Sequence, residues 1–315
     1  MKFFSNIREY IQNHKPPDML CLDNYNYSKT ITIEEWTQKI QRVYSFTKLP
    51  WLQSYNAMIK DIYDFYDKEI PFHNHKHVYD VFQMGVLLLT RNFNTLYRIT
   101  DVELFTYCIA LLCHDIDHKG LTNSDIAEDP SIYDDDDDDD DDDELTRNDS
   151  YSSLSSICST ASYNERHHIL FGKKLLKKHN IEYDEILFTK LISFTDLIIH
   201  KKFLNSSQFI EEKTKQKTHN QNVLILLMKL ADIGHILRPW DIHLNFVFSM
   251  NNERTYPLKR CELSKDTVEF NNIFVLPLIK KIKEINIGLH YVLMKSYNKN
   301  IERWELIQDF FDKEL

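Results

Sequence analysis

Apolar residues recur at intervals of three and four along most of the chain. In residues 54–68 (SYNAMIKDIYDFYDK) this spacing gathers Met58, Ile59, Ile62, Phe65 and Tyr66 on one side of a helix. Pro71 interrupts, and a second helix resumes over 77–90. Residues 101–113 (DVELFTYCIALLC) are apolar on nearly every side beyond Asp101 and Glu103, the pattern of a helix buried inside a bundle. Further helices are predicted at 164–178, 184–199, 220–231, 240–249, 267–285 and 300–313. No period-two alternation persists, and the 315 residues include only 5 glycines, so a Gly-rich phosphate loop on a parallel sheet is not expected. The pattern predicts an all-α fold: one compact multi-helix domain over residues 55–315, preceded by an N-terminal helical segment at 1–54.

One stretch breaks the pattern. Residues 131–162 hold ten consecutive aspartates, Asp134 to Asp143, and the serine-rich run SYSSLSSICSTAS. Such a segment has too little apolar surface to offset the entropy of ordering and reads as a disordered surface insertion. A calcium loop needs oxygens arranged around a turn and a closing bidentate acid, which a homopolymer does not provide. The run also accounts for the whole formal charge of −10, so the rest of the chain is balanced and gives no reason to expect a nucleic-acid partner. The basic patch Lys173, Lys174, Lys177 and Lys178 is read as a solvated helix face.

The five cysteines, at 21, 108, 113, 158 and 261, form no C-x-x-C pair, so neither a zinc ribbon nor a disulfide framework is indicated. A reducing, cytoplasmic location is expected, or the cytosolic face of a membrane if another part of a longer protein is anchored there. No uncharged apolar run reaches the length of a membrane span; Cys108 to Cys113 and Val223 to Met228 are of core-helix length.

Candidate chemistry lies in four short stretches: His73-Asn74-His75-Lys76-His77, His114-Asp115-Ile116-Asp117-His118, Glu165-Arg166-His167-His168 and Asp232-Ile233-Gly234-His235. The second ends the most apolar helix of the chain in adjacent imidazole and carboxylate groups, with His118 one turn beyond His114. Asp232 follows the run LILLMKLA, where an unpaired carboxylate is costly to bury. A metal would remove that cost, and so would a salt bridge to Arg238. For each stretch a structural reading stays open: a helix-capping histidine, a buried ion pair, a local hydrogen bond. Two histidines with two aspartates suit zinc, manganese, iron or magnesium with open positions for water and substrate, unlike thiolate-rich structural zinc.

Taken together, these stretches resemble the class I cyclic-nucleotide phosphodiesterases, here placed within the wider HD-domain phosphohydrolases. The matching residues are His73-Asn74-x-x-His77, His114-Asp115-x-Asp117-His118-x-Gly120-x-x-Asn123, Glu165-x-His167-His168, Thr195-Asp196, Ala231-Asp232-Ile233, Phe270 with Pro277-Leu278, and Asn300 with Trp304. The resemblance implies two divalent metals, usually zinc in the first site and magnesium or manganese in the second. His77, His114, Asp115 and Asp232 would hold the first, with Asp115 bridging to the second. His118, Glu165 and Thr195 would support the second site. His73 would give a proton to the departing 3' oxygen of a cyclic AMP or cyclic GMP substrate, releasing a 5'-nucleoside monophosphate. Asn123, His235, Thr267 and Phe270 fall at the substrate pocket.

The chain departs from the family pattern at that pocket. Thr267 stands where the family has a purine-recognising glutamine, His235 where many members have asparagine, and the segment between Phe246 and Thr267 is short. Three explanations are open: another residue reads the base, residues 250–266 are misjoined or truncated, or the protein is a catalytically weak regulatory module. An enzyme of noncyclic nucleotides is a further alternative.

Overall fold

The helix predicted at 101–113 organises the domain. In the computed structural model, which describes residues 52–92, 95–96, 99–133, 162–205 and 216–314, it spans Asp101–Cys113 as predicted. Thr100 caps it: its hydroxyl accepts from the Glu103 amide at 3.1 Å, and the Glu103 carboxylate accepts from the Thr100 amide at 2.8 Å. Every residue from Glu103 to Cys113 is buried. In chain order the other helices among the described residues are α1 (Leu52–Asp64), α2 (His75–Asn92), this helix as α3, α4 (Asn123–Glu128), α5 (Tyr163–Lys178), α6 (Glu185–Ser193), α7 (His200–Asn205), α8 (Gln216–Ile233), α9 (Trp240–Glu253), α10 (Arg260–Phe270), α11 (Leu276–Ile285) and α12 (Ile287–Glu314). No β-strand occurs among the described residues, and the fold is all-α.

α3 packs between α2 and α6, α2 packs on α8, and α12 closes over α10 and α11. The approach of α2 to α3 depends on Gly85, because a Cβ there would lie 2.5 Å from Leu111 Cδ1. No helix among the described residues is long and apolar enough to cross a membrane. The predicted N-terminal segment, apart from the start of α1, lies outside the described residues, as do residues 134–161 of the acidic insertion. The insertion's first residues differ from expectation: Pro130–Tyr133 form a 3-10 turn in which Tyr133 stacks on His167 at 3.8 Å.

Several helices differ from their predicted limits, most of all the C-terminal one, predicted at 300–313 and beginning at Ile287. The one expected to reach residue 199 stops at Ser193, where the Thr195 hydroxyl donates to the Ile192 carbonyl at 2.7 Å and the chain turns. α9 runs to Glu253, beyond the predicted end at 249. The helix predicted at 267–285 begins at Arg260 and contains a π turn at Asn271–Val275, a feature that concentrates at functional sites. The short segment before it forms a closed connection. Asn251 accepts from the Leu258 amide at 2.8 Å and donates to the Leu258 carbonyl at 3.1 Å, and Arg254 pairs with Asp266 at 2.6 Å.

A buried ion pair ties the two helices that matter most for the site. Arg238, just beyond α8, donates from Nε to Asp80 Oδ1 at 2.9 Å and from Nη2 to Oδ2 at 2.6 Å, with both side chains out of solvent. The fork geometry satisfies the carboxylate bidentately. Asp80→Ala leaves that guanidinium buried and uncompensated, so it is expected to lower stability by about 3–5 kcal/mol. Urea denaturation measures this, and an unchanged midpoint would contradict it.

Candidate metal centre and substrate pocket

Three helix ends converge on one point. His77 lies in the first turn of α2, His114 and Asp115 follow the last turn of α3, and Asp232 sits in the last turn of α8. Gly234 lets the chain leave α8 directly after Asp232, since a Cβ there would meet the Leu230 carbonyl oxygen at 2.1 Å. His77 Nε2 is 3.3 Å from both Asp115 Oδ2 and Asp232 Oδ1, and His114 Nε2 is 3.0 and 3.5 Å from the same atoms. One ligand atom from each residue lies within 4.8 Å of all the others.

These atoms crowd together without making hydrogen bonds. His77 Nε2, His114 Nε2 and Asp115 Oδ2 are buried and have no aligned partner, although short distances separate them. Donor–acceptor pairs align along N–H vectors, whereas ligand atoms point at a shared centre. His114 Nδ1 lies 3.1 Å from the Leu111 carbonyl, so that nitrogen carries the proton and Nε2 keeps its lone pair for the centre. Burial opposes charge on His77 and His114, but Asp115 and Asp232 outweigh it and raise both above the ordinary histidine value. The carboxylates are lowered in turn, against the effect of their burial, by His114 and His77. The pocket thus attracts positive charge, and its nitrogen and oxygen donors fit divalent cations. The salt bridge considered for Asp232 does not form, because Arg238 is committed to Asp80.

A second group stands beside the first: His73, His118 and Glu253 also present ligand-type atoms within 4.8 Å of one another. Glu253, the last residue of α9, accepts from the backbone amides of Phe72 at 2.7 Å and His73 at 2.9 Å, and its other oxygen takes His73 Nδ1. The His73 ring stacks on His118 at 4.0 Å. Burial and the neighbouring His73 charge hold His118 well below the ordinary histidine range. Its Nδ1 accepts from the Gly120 amide at 2.9 Å, at the left-handed position where φ is +73°. Asp117 is turned away from the centre to His167 and Lys119, at 2.9 and 3.0 Å.

Asp115 and Asp232 of the first group and all three residues of the second line a cavity of about 500 Å³, together with Glu165, Thr195, Asn123 and Phe270. Glu165 is pushed up to about 7 by burial and by repulsion from Asp196. The Asn123 amide is spent on structure: it donates to Glu165 at 3.0 Å and accepts from the Asn164 amide at 2.8 Å. A smaller pocket adjoins, lined by Asp266, Thr267 and Asn271, and His235, Arg254 and Phe270 line both. Thr267 is buried and donates its hydroxyl proton to the Leu263 carbonyl at 2.7 Å.

The sequence reading missed one residue at this site and assigned no role to another that it had matched to the family. Glu253 meets His73 across 180 positions of chain and carries no local motif. His168, whose Nε2 is 4.0 Å from Asp115 Oδ1, carried a signal, since it lies three residues after Glu165 on one helix face. His75, read as a surface or hydrogen-bonding residue, is buried edge-on against Tyr63.

Comparison with known proteins places this geometry. The chain is 27% identical over 294 residues to the 3',5'-cyclic-nucleotide phosphodiesterase regA of Dictyostelium discoideum, covering 82% of this chain and 33% of that protein. It is 28% identical over 191 residues to the dual 3',5'-cyclic-AMP and -GMP phosphodiesterase 11A of Takifugu rubripes, covering 55% of this chain and 18% of that one. The chain thus spans a third or less of the length of these curated relatives. Among solved structures, the phosphodiesterase domain of Salpingoeca rosetta rhodopsin phosphodiesterase matches with a TM-score of 0.71 and 20% identity, over 96% of this chain and 98% of that one. Yeast caPDE2 in complex with IBMX matches with a TM-score of 0.65 and 18% identity, over 86% and 63%. Both likenesses show the fold.

The family match also corrects one expectation, the placement within the wider HD-domain superfamily. Adjacent histidine and aspartate donors such as His114-Asp115 specify metal-ligand chemistry and not a fold. The family model that matches is that of the 3'5'-cyclic nucleotide phosphodiesterases itself, over residues 72–126 and 147–295. Those residues carry all four side chains of the metal cluster as well as His73 and Glu253, and the chain belongs to the 3'5'-cyclic nucleotide phosphodiesterase family.

Proposed function

We propose that the protein hydrolyses 3',5'-cyclic nucleotides, cyclic AMP, cyclic GMP or both, to 5'-nucleoside monophosphates. The observation that carries this reading is a cluster of four metal-donor atoms whose two carboxylates line the same cavity as a carboxylate-anchored histidine. The activities that the relatives' names give, on cyclic AMP and cyclic GMP, support the substrate class.

His77, His114, Asp115 and Asp232 would hold a tightly bound ion, and their two nitrogens and two oxygens suit zinc. Asp115, with two oxygens, would bridge to magnesium or manganese on the side of the cavity where Glu165, His118 and Thr195 lie. Divalent ions bound there supply Lewis-acid charge to the phosphoryl oxygens and acidify water.

The chain's own proton chemistry centres on His73. Glu253 takes its Nδ1–H and both neighbouring backbone amides, which fixes the ring and leaves Nε2 for the cavity. Burial would raise the Glu253 carboxyl, but its bonds to His73 and that ring's charge lower it further, so Glu253 stays ionised and stabilises an imidazolium. When the P–O3' bond breaks, His73 Nε2 gives its proton to the departing oxygen. The stacked His118, held well below the ordinary histidine range by burial, stays neutral. Phe270 provides an aromatic face for the base.

Purified protein assayed with each cyclic nucleotide is expected to turn over with manganese or magnesium, to stop with a chelator and to recover when metal returns. No turnover with any divalent metal would contradict the proposal. His114→Ala and Asp232→Ala are expected to lose both bound metal, read by elemental analysis, and activity. His73→Ala is expected to keep its metal while turnover falls about 10²-fold or more. Glu253→Gln should slow turnover less than His73→Ala and leave metal content unchanged, and full activity in either variant would refute the proton-donor assignment.

A further inference from the structure

We propose that Trp304 and His243 lock His235 into one tautomer, a neutral imidazole protonated on Nε2, and that this N–H is the donor that reads the nucleotide base. The inference rests on the cyclic-nucleotide reading above and deepens it at the pocket where the chain departs from its family.

The position that would read the base by a paired amide does not do so here. Thr267 has one hydroxyl, and its proton goes to the Leu263 carbonyl of its own helix. His235 lines both the main cavity and the smaller pocket, beside Phe270 in each. Its ring is 5% exposed, and its Nε2 is buried without a partner in the protein. A buried polar nitrogen left unmade carries a free-energy penalty that a ligand can relieve.

The state of that nitrogen follows from a chain of two hydrogen bonds. An indole N–H only donates. Trp304 Nε1 lies 2.7 Å from His243 Nε2, so His243 Nε2 must be the acceptor. A neutral imidazole has a single N–H, which places the His243 proton on Nδ1. That atom is 2.9 Å from His235 Nδ1, which must therefore accept. The remaining proton of His235 is on Nε2, on the far side of the ring from His243. Protonating His235 would bring two N–H groups face to face at the Nδ1 atoms, and protonating His243 would set its Nε2–H against the Trp304 indole N–H. Burial keeps both neutral: it carries His235 down to about 3, helped by His77 and Arg238, and His243 well below the ordinary range.

The same helix also fixes the backbone beneath the ring. Asn300, one turn before Trp304 on α12, donates to the carbonyls of Ile236 at 2.7 Å and Arg238 at 2.8 Å. The 3-10 turn His235–Leu237 is thus pinned from below while the indole sets the tautomer from the side. Unlike an amide, which can rotate to exchange donor for acceptor, this arrangement is one-way. It calls for a ring nitrogen or carbonyl oxygen on the base edge. Trp304 and His243 are positioning residues, and His235 is the contact.

The test combines a spectroscopic and a kinetic measurement on the full chain. Nitrogen-15 NMR of labelled histidines, with His235→Gln used to assign the signal, is expected to show His235 neutral and protonated on Nε2, and Trp304→Phe is expected to release it into a mixture of tautomers. A wild-type His235 that is charged or protonated on Nδ1 would overturn the proposal. In steady-state assays His235→Phe and Trp304→Phe are expected to raise KM for the cyclic nucleotide turned over by about tenfold, with little change in kcat or metal content. His235→Gln, which restores an N–H donor, should recover part of the loss. Unchanged KM in His235→Phe would overturn the base-reading role. If the wild type turns over no cyclic nucleotide, the functional reading fails separately. The tautomer signal, together with the affinity of wild type and His235→Phe for 5'-GMP and 5'-AMP, still decides this inference: equal affinities overturn it and weaker binding by the variant supports it.

Discussion

Two carboxylates and two imidazoles with donor atoms held within 4.8 Å of one another, the imidazoles buried and the carboxylates facing the cavity, are the constraint around which the domain is arranged. Left to themselves Asp115 and Asp232 would repel, and each would pay for leaving water. A shared cation removes both costs, and the fold keeps competing cations away from the position. Arg238, six residues past Asp232, is drawn off by Asp80. Lys229, one turn before Asp232 and also buried, donates to the backbone carbonyls of Phe194 and Asp196. Its ammonium thereby builds the turn that carries Thr195 and Asp196 into the cavity wall.

The same economy extends to the histidines beside this cluster. His73 stacks on His118, whose ring is in turn 5.5 Å from His168, and three imidazolium rings so placed would not tolerate one another. Glu253 anchors His73, whereas His118 and His168 have their Nδ1 atoms tied to backbone groups, the Gly120 amide and the Ile116 carbonyl, and burial holds both below the ordinary histidine range. At the opposite wall the two further histidines, His235 and His243, are kept neutral by burial and oriented by an indole. The partners of these histidines differ: carboxylates at His77 and His114, Glu253 at His73, and an indole-led relay at His243 and His235.

The legible parts of the sequence were those with a local physical signature. Periodicity placed the α3 limits as the structure has them and those of α5 to within a residue, because their apolar faces are long and continuous. The metal residues were visible as anomalies, polar groups ending apolar helices. The six-residue helices α4 and α7 are too short for a period to register, and the start of α10, with the sequence RCELSKD, has too few apolar positions to declare itself. The π turn leaves no pattern in the residues at all. Glu253 and the Trp304–His243–His235 chain depend on contacts between helices far apart in sequence, with 61 positions between Trp304 and His243. The shortened segment before Thr267 left three explanations open in the sequence, and in the structure it folds into a connection closed by Asn251 and by the Arg254–Asp266 pair.

The most direct test of the central claim is the fate of the phosphorus–oxygen bond. Hydrolysis of cyclic AMP and cyclic GMP by the manganese-loaded protein in oxygen-18 water, followed by phosphorus NMR, is predicted to give the 5'-monophosphate carrying one labelled oxygen on phosphorus. A 3'-monophosphate, an unlabelled phosphate, or intact cyclic nucleotide after prolonged incubation would contradict an attack on phosphorus with His73 protonating the 3' oxygen.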